Sequence, residues 1–297
     1  MKKYSALIIL ILFYFSSFSQ KISIEQLKFN IDTLIKNQQG NFAVAFKDVQ
    51  TGKTIFINEH EIFHAASTMK TPVLVEIYKQ ANEKKFSLSD SLIIKNEFKS
   101  IVDSSSFSLN PDDDSELDLY KHIGEKKSIN DLTYLMITVS SNLSTNLLIE
   151  LVNAKNVTQT MQQLGLKDLK VLRGVEDQKA YDKGLNNVIT AYDLALLFEK
   201  IANGKAVNKT SCDAMIKILL DQKYNEIIPA KLASTVKVAH KTGWIKGINH
   251  DSGIVFLPDG RKYILVLLSK NTTDDKASID AMANISLMIY NFVSSKN

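Results

Sequence analysis

Val236-Lys-Val-Ala-His-Lys241-Thr-Gly243 is a run of β-type residues ending on a glycine, and two similar runs follow it, Gly253 to Leu257 and Tyr263 to Leu268. Pro258-Asp-Gly260 separates the last two and is a turn signal, so the C-terminal third predicts three consecutive strands. A helix over Lys276 to Phe292, with Ile279, Met282, Ile285, Met288 and Ile289 on one stripe, closes the chain. The N-terminal side mirrors this pattern. Leu27, Ile31, Leu34 and Ile35 recur at helical spacing. Phe42, Val44 and Phe46 then alternate as in a strand, and Val49-Gln-Thr-Gly52 turns the chain into Thr54-Ile-Phe-Ile57. Between these β-rich ends the middle is helical in period, for example Leu132, Leu135, Met136 and Val139, and Leu194, Leu197, Phe198 and Ile201.

The predicted class is therefore α+β: an antiparallel five-stranded sheet flanked by N- and C-terminal helices and interrupted by an all-α insert. The expected division is a leader over residues 1–20, a discontinuous sheet domain over 21–65 and 229–297, and a helical domain over 66–228, with a small-molecule cleft at their interface. The stretch Asp103 to Asp118, with Ser104-Ser-Ser106 and Asp112-Asp-Asp114, reads as a polar, solvated loop.

Composition narrows the function classes. Lys2-Lys3 followed by the apolar run Ala6 to Phe15 and by Ser16-Ser-Phe-Ser-Gln20 has the pattern of a secretory signal peptide. The apolar run is about half of the roughly 20 residues a spanning helix needs, so the mature chain is expected to be secreted or periplasmic, without stable membrane insertion. Cys212 is the one cysteine of the chain, which excludes an internal disulfide and a cysteine-based metal cluster. Formal charge is +4, two units of which come from Lys2 and Lys3, and no basic block is interleaved with aromatics. Nucleic acid is not an expected partner, and the expected state is a monomer.

Three short segments carry chemistry. In Ser67-Thr-Met-Lys70 the spacing places an amine one helical turn from a hydroxyl, where it can take the proton that keeps serine unreactive. Ser140-Ser-Asn142 adds a second hydroxyl and an amide, and Lys241-Thr-Gly243 adds a second ammonium at a strand end whose glycine lets a substrate backbone lie close. The spacing of the first segment recurs in Ser234-Thr-Val-Lys237, but that copy precedes a strand, where residues three apart face opposite sides, and it is assigned no role.

With Met136-Ile-Thr-Val-Ser140-Ser-Asn142, Asn146, Val238-Ala-His-Lys241-Thr-Gly243 and Leu257-Pro-Asp-Gly260 in this order, nearly the whole mature chain resembles the class A β-lactamase family of serine acyl-transferases. The resemblance implies a serine hydrolase that opens the β-lactam ring through a Ser67 acyl-enzyme, with a small-molecule β-lactam as partner and neither metal nor cofactor. It makes Ser67 the nucleophile, Lys70 its base or proton conduit, and Ser140, steadied by Lys241, the relay to the departing nitrogen. It gives Asn142, Thr242, Gly243 and Trp244 to substrate binding, with the backbone N–H groups of Ser67 and Trp244 as oxyanion donors. Three departures stand out. Ser141 replaces the central aspartate of the second motif. His250 takes the place of a carboxylate-binding arginine. In Arg173-Gly-Val-Glu176-Asp-Gln-Lys-Ala180, Glu176 fits the deacylating acid, but Ala180 stands where an asparagine would hold the water. Glu176 or Asp177, helped by Asn186 or Asn187, is expected to orient that water, and Arg173 to brace the loop by an ion pair with Asp177 or Asp182. Related alternatives are a D-alanyl peptidase or other serine amide hydrolase that releases β-lactams slowly, and, more remotely, an inert cell-wall binding module.

Overall fold

The computed structural model describes residues 22–295, so the expected leader lies outside the described residues. Helix α1 (Ile24–Lys36) starts at Ser23, whose hydroxyl accepts from Gln26 N, and it buries Leu27, Ile31 and Ile35 on one stripe. Strands β1 (Asn41–Asp48) and β2 (Thr54–Ile57) follow, joined by a turn in which Asp48 Oδ1 accepts from Gln50 N and Thr51 N and Gly52 takes φ +72°. The C-terminal strands β3 (Lys237–Ile245), β4 (Ile248–Phe256) and β5 (Lys262–Lys270) complete an antiparallel sheet ordered β2-β1-β5-β4-β3. The five strands and their direction are as read from the sequence.

Alternation along the strands builds two cores. Phe42, Val44 and Phe46 of β1 with Tyr263, Leu265 and Leu267 of β5 pack under α1 and the closing helix, Asp275–Ser294. Ala43 and Ala45 with Ile264, Val266 and Leu268 face the opposite way, onto the helical layer, and their small β1 side chains let helix Ala191–Ala202 lie close to the sheet. In chain order the helices of that layer are α2 (Lys70–Asn82), α3 (Ile129–Thr138), α4 (Asn142–Val152), α5 (Ala154–Gln163), α6 (Gln178–Asp182), α7 (Ala191–Ala202) and α8 (Lys209–Leu220); the closing helix is α9. Between β2 and β3 the chain also forms three two-stranded pairs, 63–64 with 188–189, 91–93 with 126–128, and 98–99 with 106–107, so this region is not wholly α. The third pair lies at the edge of the stretch expected to be a plain solvated loop. No described helix is long and apolar enough to cross a membrane.

Edge strand β3 is the element that opens a site. Its neighbour on one side is β4, and its other edge meets the short 3₁₀ turn Ala66–Met69 that carries Ser67. The β3–β4 hairpin turns on Lys246 and Gly247 (φ +75°) with Ile245 opposite Ile248. Hydrogen-bonded and non-bonded pairs alternate outward from such a closing pair, so Trp244, opposite Asn249, points its backbone N–H away from β4.

Candidate active site

Ser67 sits not in the α-helix proper but in the 3₁₀ turn that feeds α2, with Pro72 inside the first turn of α2. The turn is held in place by its neighbours. Ala65 N donates to Asn187 O at 2.8 Å, Ala66 N donates to His64 Nδ1 at 3.0 Å, and Ala66 adopts φ +43°, a strained conformation for a residue with a Cβ. A Cβ on Gly243 would lie 3.1 Å from both Ser67 N and Thr68 N, so glycine is what lets β3 close on the nucleophile turn. The amides of Ser67 and Trp244 thereby border one small space.

Lys70 and Lys241 are both fully buried and share one hydroxyl. Lys70 Nζ donates to Ser140 O (2.6 Å), Ser140 Oγ (3.1 Å) and Asn142 Oδ1 (3.0 Å), and Lys241 Nζ donates to the same Ser140 Oγ (3.1 Å) and to Thr242 O (2.9 Å). Burial pushes the Lys70 ammonium down to about 7, against the opposing charges of Asp114 and Glu176. Lys241 is driven well below its ordinary value by burial and then by Lys70, with Asp251 acting against both. Three acceptors occupy all three N–H bonds of a charged Lys70; as the neutral amine it keeps a lone pair to turn toward Ser67. Ser140 reaches this position by adopting φ +61° in the turn between α3 and α4.

Asp114 was not singled out in the sequence, yet it supports this network. Its Oδ2 accepts from Asn142 N (2.9 Å), Leu143 N (2.8 Å) and Tyr120 Oη (3.0 Å), capping the start of α4 from a distant loop. Ser141 Oγ caps the same helix locally at Ser144 N. A short Asp-rich run with turn character was the available signal, and it is the same signal that a solvated loop gives.

Glu176 stands across the cleft from that network. Its Oε1 accepts from Asn142 Nδ2 at 2.8 Å, and burial raises its carboxyl above the usual carboxylate range. The backbone here is clamped by Asn146, whose Oδ1 accepts from Val175 N (2.7 Å) and whose Nδ2 donates to Val175 O (3.0 Å). Glu176 itself takes φ +61°. The other expected helpers are occupied elsewhere. Asp177 Oδ1 caps α6 at Ala180 N and receives Ser100 Oγ, and its Oδ2 accepts from Ile101 N, so its carboxylate is committed to the loop. Asn187 Oδ1 accepts from Leu172 N and Arg173 N while its Nδ2 donates to Arg173 O, and Asn186 Oδ1 accepts from Arg173 Nη2. Arg173 does brace the loop, but without the expected ion pair: its remaining donors go to Leu185 O (3.0 Å) and Gly174 O (3.1 Å). A buried guanidinium here is satisfied by carbonyls that the loop itself turns inward. Ala180 is buried and its side chain offers no polar atom.

His250 is also placed differently from a carboxylate-binding cation. It is fully buried; Nε2 lies 2.9 Å from His64 O, Nδ1 lies 2.8 Å from Asn249 O and 3.3 Å from Ser269 N, and burial lowers it to about 4 against those carbonyl contacts. A neutral imidazole in the sheet contributes shape and no charge. Thr242 and Gly243 lie on the cleft wall with Trp244, which is 64% exposed.

Residues 26–293 match the model of the β-lactamase enzyme family. The chain belongs to that family. It is 25% identical to a β-lactamase of Bacteroides uniformis over 89% of its length and 90% of the relative's. It is 22% identical to the extended-spectrum β-lactamase PER-1 of Pseudomonas aeruginosa, over 95% and 92% of the two chains. Among solved structures, PBP-A superposes with a TM-score of 0.78 at 25% identity, covering 92% of this chain and 97% of its own.

In this β-lactamase-family chain Ser67 lies between two cavities. One, of about 350 Å³, is bounded by His64, Glu176, Tyr181 and Trp244; the other, of about 390 Å³, by Ser140, Tyr224, Glu226, Thr242 and Trp244.

Proposed function

We propose that the chain is a secreted class A serine β-lactamase, acylated at Ser67 and released by water. The observation that carries the reading is the buried relay Lys70 Nζ, Ser140 Oγ, Lys241 Nζ beside the Ser67 turn. Neutral Lys70 removes the Ser67 Oγ proton as the hydroxyl attacks the lactam carbonyl, and the amides of Ser67 and Trp244 receive the developing oxyanion. As the C–N bond breaks, Ser140 gives its proton to the ring nitrogen and is resupplied from the adjacent ammonium groups. Thr242 and Lys241 hold the substrate carboxylate, and Asn142 the acyl-side amide. Glu176 then takes a proton from water as that water attacks the ester. With Ala180 in place of a polar partner, the water depends on Glu176, which Asn142 orients.

This last point favours a specific second reading, an acyl-transferase of the same architecture in which the ester persists. Intact-protein mass spectrometry after addition of benzylpenicillin separates the two. A transient adduct, absent in Ser67→Ala, supports the hydrolase; a lasting stoichiometric adduct supports the transferase; no adduct in the wild type removes both. Hydrolysis of a chromogenic cephalosporin by wild type and not by Ser67→Ala is the accompanying activity test.

A further inference from the structure

The cavity of about 390 Å³ is bordered by Ser140, which serves the departing nitrogen in the proposed reaction, and its charges are of one sign. Asp113 and Glu226 line it, and no lysine or arginine does. The cavity on the other side of Ser67 differs, since there Arg173 stands beside Glu176 and Asp177. His250 on the wall of the first cavity is neutral in the sheet. Lys70 and Lys241 lie behind Ser140 Oγ and are fully buried. Of the lysines near Glu226 in sequence, Lys231 is paired with Asp280 and Lys223 does not border the cavity.

Glu226 is exposed, and its side chain makes no hydrogen bond or ion pair among the described residues. The backbone that presents it is nevertheless fixed at both ends. Gln222 Nε2 donates to Ile137 O (2.9 Å) and Lys223 N to Thr138 O (3.0 Å), and beyond Glu226 the amide of Ile228 donates to Asp251 Oδ2 (3.0 Å). Asp113 is anchored separately, with Asn110 Nδ2 donating to its Oδ2 at 2.9 Å. Tyr224, half-buried, and Trp244, 64% exposed, add aromatic rings to the same cavity. A ring face attracts a cation and not an anion. A cavity of about 390 Å³ is smaller across than the roughly 10 Å screening length at 0.1 M salt, so a charge inside it feels the carboxylates on its wall.

We infer that Glu226, together with Asp113, selects substrates whose leaving half carries a fixed positive charge, such as a cephalosporin with a pyridiniomethyl group at C3. The substrate carboxylate goes to Thr242 beside Lys241, and the cationic arm is drawn to the Glu226 wall. A neutral arm gains no such attraction, and an anionic one is repelled. Glu226 is a specificity residue: it takes no proton and touches no reacting atom. The inference names a substrate class for the proposed β-lactam reaction and rests on that reading.

The test compares two cephalosporins with the same acyl side chain, one bearing a pyridiniomethyl and the other an acetoxymethyl group at C3. The quantity read is the ratio of their second-order rate constants for acylation of Ser67 in quenched mass spectra, which has the same meaning whether the ester is then hydrolysed or persists. Glu226→Gln should lower that ratio about fivefold, the size of one exposed charge contact, and Glu226→Lys should lower it further. The melting temperature should not move, because the side chain has no partner to lose. In the wild type the ratio should fall as salt rises from about 0.01 M to about 1 M, and in Glu226→Gln it should fall less. A ratio unchanged in Glu226→Gln, or a wild-type ratio indifferent to salt, overturns the inference and leaves the β-lactam reading standing. Failure of either compound to acylate Ser67 in the wild type removes that reading, and this inference with it.

Discussion

Gly174→Ala should separate the two halves of the reaction. Gly174 lies against the amide of Asn146, and a Cβ at this position would overlap Asn146 Oδ1 and stand 2.9 Å from its Cγ, where ordinary contact begins at 3.4 Å. The amide has to swing away by on the order of 1 Å, and in doing so it gives up Val175 N and Val175 O, the two bonds that clamp the backbone next to Glu176. Two buried hydrogen bonds at about 1 kcal/mol each make the stability loss about 2 kcal/mol, or about 4–8 °C in melting temperature for a chain of this size. The kinetic effect is larger. Displacing a base by about 1 Å costs on the order of a hundredfold in the step it serves. The Ser140 and Lys241 hydroxyl-amine pair has no hydrogen bond to this loop, and Lys70 is linked to it only through Asn142, so acylation should be the less affected step. The expected signature in steady-state hydrolysis of a chromogenic cephalosporin is a fall in kcat of about a hundredfold, a parallel fall in KM, and an unchanged kcat/KM, with acyl-enzyme accumulating in quenched mass spectra. If kcat/KM falls with kcat, the loop serves acylation as well; if kcat holds and no adduct accumulates, Asn146 does not position the base.

Four further outcomes follow from the same geometry. Glu176→Gln should trap the Ser67 adduct, and because burial raises the Glu176 carboxyl, the acid limb of wild-type kcat should lie above the ordinary glutamate value of 4.5, where protonation removes the base. The acylation rate should climb through pH 7 as Lys70 becomes neutral, and Lys70→Ala should flatten that climb and lower the rate by about 10²–10⁴-fold in stopped-flow acylation. Asp114→Ala leaves Asn142 N, Leu143 N and Tyr120 Oη without an acceptor and should cost about 2–3 kcal/mol by chemical denaturation, with acylation slowed as Asn142 loosens. Arg173→Ala removes a buried cation satisfied by three loop oxygens and should lower thermal stability by about 2–4 kcal/mol, well beyond the effect of an exposed ion pair; an unchanged melting temperature would contradict that bracing.

The parts of the molecule that were legible in sequence are those in which short range decides the outcome. Alternating Phe42, Val44 and Phe46 could bury only one face, and the Pro258-Asp-Gly260 turn could join only neighbouring strands, so the sheet followed from local pattern. Ser67 with Lys70, and Ser140 with Asn142, are each fixed within a single turn of chain, and three such pieces in one order left little freedom. For His250 the strand register was local and legible while its burial was not: the ring lines the cleft but is enclosed within the sheet, and that burial, not a missing partner, lowers its pKa to about 4. Arg173 was misread for a related reason. A cation near Asp177 and Asp182 suggests an ion pair, but Asp177 is already committed to Ser100, Ile101 and the start of α6. Asp114 could not be told from Asp112 or Asp113 until the fold brought α4 to it across 28 residues.

These differences lie where the chain must satisfy a group with a distant backbone atom, and the loop that carries Glu176 is built in that way. In the proposed reaction, acylation uses groups carried on helix ends and an edge strand, each fixed by its own element. Deacylation as proposed depends on one carboxylate at a positive φ, in a loop whose geometry is set by Asn146, Arg173 and Asn187 from three directions. A single substitution at Gly174 should therefore act on the second step more than on the first. Release of the ester should accordingly respond to changes in loop packing far more than to changes around Ser67, and restoring a polar side chain at position 180 tests this directly. Ala180 is fully buried beneath the loop. Ala180→Asn should speed release only if its amide can turn into the cleft toward Glu176; if it packs inward, its unpartnered amide should cost about 1–3 kcal/mol and leave kcat unimproved.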